Sequence, residues 1–443
     1  MIFRRKATDL LTEWKNTWNG KYAALLEGPR RVGKSTIAEE FAKKNYRSYI
    51  KVDFAKTSPE VLEVFDSISN IDEFLLRLQA VTGIILYKRN SVIIFDEIQL
   101  QPKVRQAIKY LVADGRYDYI ETGSLLSIKK NVKNIVIPSE ELKIPVYPMD
   151  YEEFLWAVGS EEILLLRMLF ESGKSIGQAV NRSRMRSFRT YMAVGGMPQA
   201  VEAYINKQPF SQIDKVKRSI IDLYEDDFFK IDPSGRISML FESIPSQLAR
   251  TSKRFSLGFA LNKKTRAKDY ELLYDLINSR TVIPCYNCTD PRISLALSKD
   301  LDTFKLYMAD TGLFISLMLK TGDNTAEQLY GKMLSDKLEA NLGFLYENIV
   351  AQVLVSRLND LYYMTWPKPD SSHSFEIDFL ISRGTKITPV EIKSSRIKPH
   401  ASLDEFICKY SSVVKDPCIL SQKDIGNEGP IKLYPFYLSP FIL

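Results

Sequence analysis

Residues Gly28, Pro29, Arg30, Arg31, Val32, Gly33, Lys34 and Ser35 constrain this chain more than any other segment. A Gly, four residues and then Gly-Lys-Ser make a loop whose backbone N–H groups can face phosphates. The glycines permit the wrap, and a following helix offers the positive end of its dipole. Such a loop needs a buried strand before it and a helix after it. Both are legible: residues 22–27 (YAALLE) read as a short strand and 35–44 as a helix. Lys34 is placed to neutralise β- and γ-phosphates, and Ser35 to put its hydroxyl on Mg²⁺. Residues Gly28 through Ser35, with Thr36, are therefore the expected nucleotide-binding set, and ATP and Mg²⁺ the expected cofactors.

A second segment completes the chemistry. Residues 91–97 (SVIIFDE) are an apolar run too short for a helix, ending in two acids. Asp96 can hold Mg²⁺ through water, and Glu97 can polarise an attacking water. An acidic pair after a strand can also mark a helix start, because acids favour that dipole end. The phosphate loop some 60 residues upstream favours the catalytic reading. The next strand, 118–122, runs into Thr122-Gly123-Ser124, where the Ser124 hydroxyl is placed to sense the γ-phosphate or orient the water. Strands 48–53, 91–95 and 118–122 alternate with helical stretches 71–82 and 104–111. That alternation predicts an α/β fold with crossover connections.

At 443 residues the chain is long enough for two to four domains. Three regions are expected: a P-loop parallel sheet over 1–150, a helical middle over 151–330, and an α/β end over 331–443. Helices are expected at 150–168, at 185–206 broken at Gly195-Gly196-Met197-Pro198, at 211–229, and from 334 to 358. No run of about 18 apolar residues predicts a membrane span, and the charged N-terminus lacks a signal-peptide core, so a cytoplasmic protein is expected. The net charge is +7, and residues 331–443 hold as many acids as bases, so charge alone argues only weakly for nucleic acid. With two histidines, His373 and His400, any catalytic metal must rest on carboxylates. Cys285 and Cys288 are spaced as Cys-x-x-Cys, but Cys408 and Cys418 lie too far away in sequence to suggest a four-ligand zinc site. Free thiols are expected.

Taken together, GPRRVGKST, FDEIQ and TGS resemble the AAA-type P-loop ATPases of bacteria and archaea that carry a C-terminal domain of unknown function. The segments YPMDYEEFL (147–155), YMAVGGMPQAV (191–201), FESIPSQLA (241–249), KLYMADTGL (305–313) and LGFLYENIVAQVL (342–354) extend the resemblance over most of the chain. Relatives often carry Gly-Arg shortly before the YPMD-like segment, where this chain has Ser139-Glu140. An arginine for the transition-state phosphate is thus not located.

Residues 250–268 contain seven Lys and Arg and no acid. With helices before and strands after, this region can form a winged helix, which the resemblance also implies. The basic run then lies on DNA, or is a solvated face, or belongs to a winged helix that packs against the ATPase domain. In the last third, FEIDFLI (375–381) and TPVEIKSS (388–395) place Asp378 in one strand and Glu391 and Lys393 in the next. Glu391 and Lys393 share a face, because strand side chains alternate. Two carboxylates and an ammonium can hold a divalent metal and activate water for phosphodiester cleavage, with Glu347 as a third carboxylate. The pattern looks like a restriction-endonuclease-like fold, which the resemblance implies for this end. Cross-strand ion pairing is the structural alternative.

Two functional readings follow. In the first, an ATP-hydrolysing enzyme acts on double-stranded DNA and carries a metal nuclease with Lys393 in a catalytic role. In the second, a nucleotide-controlled switch binds a protein partner or a second copy of itself, and the C-terminal fold serves binding only. A small-molecule kinase leaves Asp96, Glu97 and the last 290 residues without a role.

Overall fold

The computed structural model describes residues 1–124, 137–320, 326–335, 343–357, 360–369, 371–394 and 397–443. The chain forms two compact units. One comprises Met1–Tyr147 with Asn278–Arg280, the other Pro148–Ile277 with Thr281–Leu443.

The first unit is built on five parallel strands: β1 (Ala23–Gly28), β2 (Ser48–Asp53), β3 (Ser91–Asp96), β4 (Asp118–Ser124) and β5 (Glu141–Pro145). Their order is β2-β3-β4-β1-β5. Every residue of β1 and β3 is buried. A parallel sheet covered on both faces favours near-continuous apolar runs, here residues 23–26 and 92–95. Helix Ile71–Thr82 starts where Asn70 accepts the Glu73 N–H and stops at left-handed Gly83. Helix Pro102–Asp114 starts at a proline and stops at left-handed Gly115. Phe54, Phe65, Phe74, Phe95 and Tyr119 fill one core cluster, with Phe65 and Phe74 centroids 5.3 Å apart. Each such ring contributes about 1.5–3 kcal/mol on burial.

Among the buried polar residues of this unit, Glu121 stands apart. Glu121 in β4 is wholly buried, and among the described residues neither carboxyl oxygen has a hydrogen-bond partner. Nearby Arg105 makes a bidentate pair with Glu141 at 2.8 and 2.7 Å. Burial first, and Glu141 second, push the Glu121 carboxyl well above the usual carboxylate range; Arg105 opposes them.

The second unit joins a helical layer to an eight-stranded mixed sheet. Its strands are β6 (Val282–Cys288), β7 (Lys299–Met308), β8 (Leu361–Pro367), β9 (Ser374–Arg383), β10 (Lys386–Lys393), β11 (Cys418–Ser421), β12 (Gly426–Glu428) and β13 (Ile431–Pro435). The order is β12-β13-β11-β10-β9-β8-β6-β7. The hairpin β6–β7 comes from the middle of the sequence, yet β6 pairs with β8 in parallel. The boundary expected near 330 therefore does not separate two sheets. Helix Phe344–Val355 is buried on nearly all sides, and its polar residues Glu347, Asn348 and Gln352 are each hydrogen-bonded.

The helix expected over 150–168 is two helices, Tyr151–Ala157 and Glu162–Ser172, separated at Gly159, whose φ is 76°. The first opens with a capping box between Asp150 and Glu153. The expected break at 195–198 lies between helices Gln178–Val194 and Pro198–Ile205. Buried Asp310 organises it: its carboxylate accepts the Gly196 N–H at 2.5 Å and the Leu313 N–H at 2.8 Å. Of the helix expected over 334–358, Ala326–Leu334 and Phe344–Val355 are described; residues 336–342 lie outside the described residues.

Candidate functional site

The phosphate loop leaves β1 at Gly28 and enters helix Lys34–Asn45 at Gly33. A Cβ at Gly28 would lie 2.1 Å from the Val146 carbonyl oxygen, so no larger residue fits. Gly33 has φ 95°, which L side chains rarely adopt. Arg31 is also left-handed, at φ 67°. Lys34 is buried, and its ammonium donates to the carbonyls of Gly28 at 3.1 Å and Pro29 at 2.8 Å. Thr36 is exposed on the first helical turn.

Ser35 and Asp96 meet at the end of β3. The Ser35 hydroxyl donates to Asp96 Oδ1 at 2.6 Å. Thr122 donates to the same oxygen, and Lys51 stands 3.5 Å from Asp96 Oδ2. Glu97 adopts φ 57°. Its backbone N–H donates to the Thr122 hydroxyl at 3.4 Å, and its carboxylate accepts from the side-chain amide of Gln99. Ser124 pairs in register with Gly28, beside the start of the loop. Of the two hydroxyls in Thr122-Gly123-Ser124, the one bonded to the acidic pair is that of Thr122.

A buried arginine completes the loop. Arg5 donates to the Val32 carbonyl at 2.7 Å and to the Tyr147 carbonyl at 2.6 Å. Sequence reasoning passes over it, because an arginine in a charged N-terminal segment carries no local signal. Ser139 and Glu140, where the resemblance leads one to look for an arginine, lie just before β5.

The residues fit Mg²⁺ and a triphosphate. Ser35 and Asp96 supply hard oxygen donors in contact, and the buried Lys34 ammonium sits among loop carbonyls.

The C-terminal carboxylates are arranged differently from the expected metal pair. Asp378 Oδ2 accepts the Ile392 N–H at 2.8 Å across β9 and β10. Its other oxygen faces Lys305 of β7 at 3.7 Å. Fully buried Lys305 also stands 2.6 Å from Glu376 and 3.9 Å from Glu347. Glu347 is further paired with Lys253 and accepts from the Tyr307 hydroxyl at 3.3 Å. Glu391 is held by Lys393 at 2.6 Å. Among the described residues no group of three or more His, Cys, Asp and Glu stands where it could hold a metal ion. Burial, with Glu347 beside it, pushes the Asp378 carboxyl up to about 7. Burial also raises Glu391, against the pull of Lys393. Burial alone would raise Glu347 as well, but Lys253 and Lys305 hold it below the usual range. Cys285, Cys288, Cys408 and Cys418 are free thiols.

No helix among the described residues is long and apolar enough to cross a membrane. Residues 20–155 match an AAA domain. Residues 185–325 and 342–425 match two domains of unknown function, DUF8612 and DUF4143. No curated protein sequence matches the chain significantly. Among solved structures, the chain is similar to a Walker-type ATPase of Pyrococcus abyssi, at 17% identity and a TM-score of 0.43, over 72% of this chain and 96% of that one. It is also similar to Cdc6p from Pyrobaculum aerophilum, at 13% identity and a TM-score of 0.24, over 75% and 93% of the two chains. A third likeness is to a signal transduction ATPase with a tetratricopeptide repeat sensor from Pyrococcus horikoshii. There the identity is 10% and the TM-score 0.28, over 81% and 49%. These scores are too low to carry a functional argument.

Proposed function

We propose that the chain binds and hydrolyses ATP with Mg²⁺ at the phosphate loop of its first unit. The observation that carries this reading is the 2.6 Å contact between Ser35 and Asp96 beside the buried Lys34 ammonium. Ser35 and Asp96 would hold the metal. When bound, Mg²⁺ spreads the developing charge of the triphosphate. Lys34 already points into the loop, where phosphate oxygens are better acceptors than its present carbonyl partners. Glu97 orients the attacking water and is itself held by Gln99 and Thr122. Ser124, level with Gly28, is given a second hydroxyl role toward the γ-phosphate in this reading. The test is phosphate release by the full chain with and without Mg²⁺, comparing the parent with Lys34→Ala.

For the C-terminal sheet, one observation favours a binding role over cleavage. Lys305, Lys253 and Lys393 are ion-pair partners of Glu376, Glu347 and Glu391, and Lys305 lies 3.7 Å from Asp378, so three cations offset part of the charge of four carboxylates. A converging carboxylate set without such cations would depend on a metal more strongly than this one does. Nucleotide-controlled binding of a partner is the reading this supports. Metal-dependent cleavage through Asp378, Glu391 and Lys393 is its competitor, and metal titration separates the two.

A further inference from the structure

Between Arg250 and Lys268 there are seven cationic residues and no acid. The fold disposes of only one of them: Lys253 turns inward and pairs with Glu347. Arg250, Arg254, Lys263, Lys264, Arg266 and Lys268 are all exposed. Among the described residues none of these six side chains has a carboxylate within ion-pair distance. Arg250 instead lies 4.5 Å above the Phe259 ring, and Arg254 donates to the Asp302 backbone carbonyl at 3.3 Å.

Four of the six, Arg250, Arg254, Lys263 and Lys264, line one cavity of about 720 Å³ in the second unit. Asp302 is the single acid on its wall. The exposed Tyr270 ring forms another part of that wall. The cavity lies against two short-linked helices, Leu257–Leu261 and Ala267–Asn278, with Lys263, Lys264 and Arg266 in the turn between them. Asp269, in the first turn of the longer helix, is wholly buried. It accepts the Arg266 N–H at 2.9 Å and pairs with Arg236 at 3.0 Å. Asp269 is thus committed to Arg236 and to the Arg266 backbone, with no ion pair to Lys263, Lys264 or the Arg266 side chain among the described residues.

We propose that this cavity is a seat for the phosphodiester backbone of a nucleic acid, with Arg250, Arg254, Lys263 and Lys264 contacting phosphates and Tyr270 packing on a sugar or base. Like charges gathered in one concavity repel each other until a polyanion compensates them. The positive surface continues past the cavity to Arg266 and Lys268, which suits an extended polyanion better than a compact one. A flat bilayer surface does not enter a concavity. The inference is independent of the ATPase reading, because it concerns the second unit and is tested without nucleotide.

The experiment is fluorescence anisotropy of the full chain with a labelled short DNA duplex, and separately with one of its strands, over a series of salt concentrations. The parent should bind at least one of the two, with an affinity falling linearly in log–log form, and the tighter arm identifies the form recognised. Lys263→Gln/Lys264→Gln should flatten that slope by roughly two, about 0.9 for each phosphate left without its cation. Arg250→Gln/Arg254→Gln should do the same, and serves if the first pair perturbs folding as read by circular dichroism. The control pair Lys174→Gln/Lys207→Gln, equally exposed and equal in charge change, should leave the slope unaltered. The proposal is overturned if the parent binds neither nucleic acid at low salt, or if the control pair flattens the slope as much as the cavity pairs. It is also overturned if polyglutamate or anionic phospholipid vesicles bind through these residues while nucleic acid does not.

Discussion

The hydroxyl of Ser35 and the carboxylate of Asp96, 61 positions apart in sequence, stand 2.6 Å from each other. One begins the helix after β1 and the other ends β3, so the contact exists only because the parallel sheet brings both C-terminal strand edges to one side. Phosphate chemistry in such sheets sits outside the carboxyl ends of the strands for the same reason.

Glu97 follows Asp96 in a left-handed conformation and is held by Gln99 and Thr122. Glu97→Gln should bind ATP as the parent does and turn it over about 100-fold more slowly, the scale of losing a positioned base. Single-turnover hydrolysis, with nucleotide binding measured alongside, checks this. Turnover at the parent rate would remove Glu97 from the mechanism.

Arg5 ties the phosphate loop to Tyr147 through two carbonyls. Buried hydrogen bonds from a charged donor are worth about 1.5–3 kcal/mol each. Arg5→Ala should therefore lower the melting temperature and raise the KM for ATP by about tenfold, more than it lowers kcat. Arg5→Lys should rescue only part of the loss, because one ammonium cannot span both carbonyls with a fork. An unchanged KM together with a lowered melting temperature would make Arg5 purely structural.

Much of this site was legible because its signals are local. Gly28 through Ser35 carry their geometry in consecutive residues, and Asp96 is marked by the apolar run it ends. Arg5 and Thr122 were harder to weigh, since each acts through a partner distant in sequence. The same limit explains the C-terminal site. Asp378, Glu391 and Lys393 were visible as a pattern, but Lys305 reaches Asp378 from a strand about 70 residues upstream. The shared sheet is hidden for the same reason: β6 and β7 look like a separate wing until β8 pairs with β6.

Glu121 gives the first unit a pH-dependent stability. Its folded carboxyl titrates well above its unfolded value. The neutral acid is thus favoured by folding, with its benefit complete at low pH. Stability should fall as pH rises from about 4.3 toward the raised value, by up to about 1.4 kcal/mol per pH unit. Glu121→Gln should melt higher than the parent at alkaline pH, and the difference should shrink toward pH 4–5, about the unfolded carboxyl's range. A parallel shift at all pH values would mean the carboxyl is not the source.

In the C-terminal sheet, Lys305 stands among Asp378, Glu376 and Glu347 and offsets part of their charge. Calorimetry with Mn²⁺ on an Asp96→Asn variant, which removes the loop's metal ligand, should show no stoichiometric binding. Binding that disappears on adding Asp378→Asn would instead establish a metal site there. Metal-dependent plasmid nicking lost in Lys393→Ala would then extend it to cleavage.

The central claim is that the Gly28–Ser35 loop turns over ATP. Phosphate release by the purified full chain in Mg²⁺, parent against Lys34→Ala, measures it directly. The parent should release phosphate catalytically, and Lys34→Ala should lose about 100-fold or more of that rate, as expected for a removed transition-state charge. Equal rates in the two proteins would contradict the account.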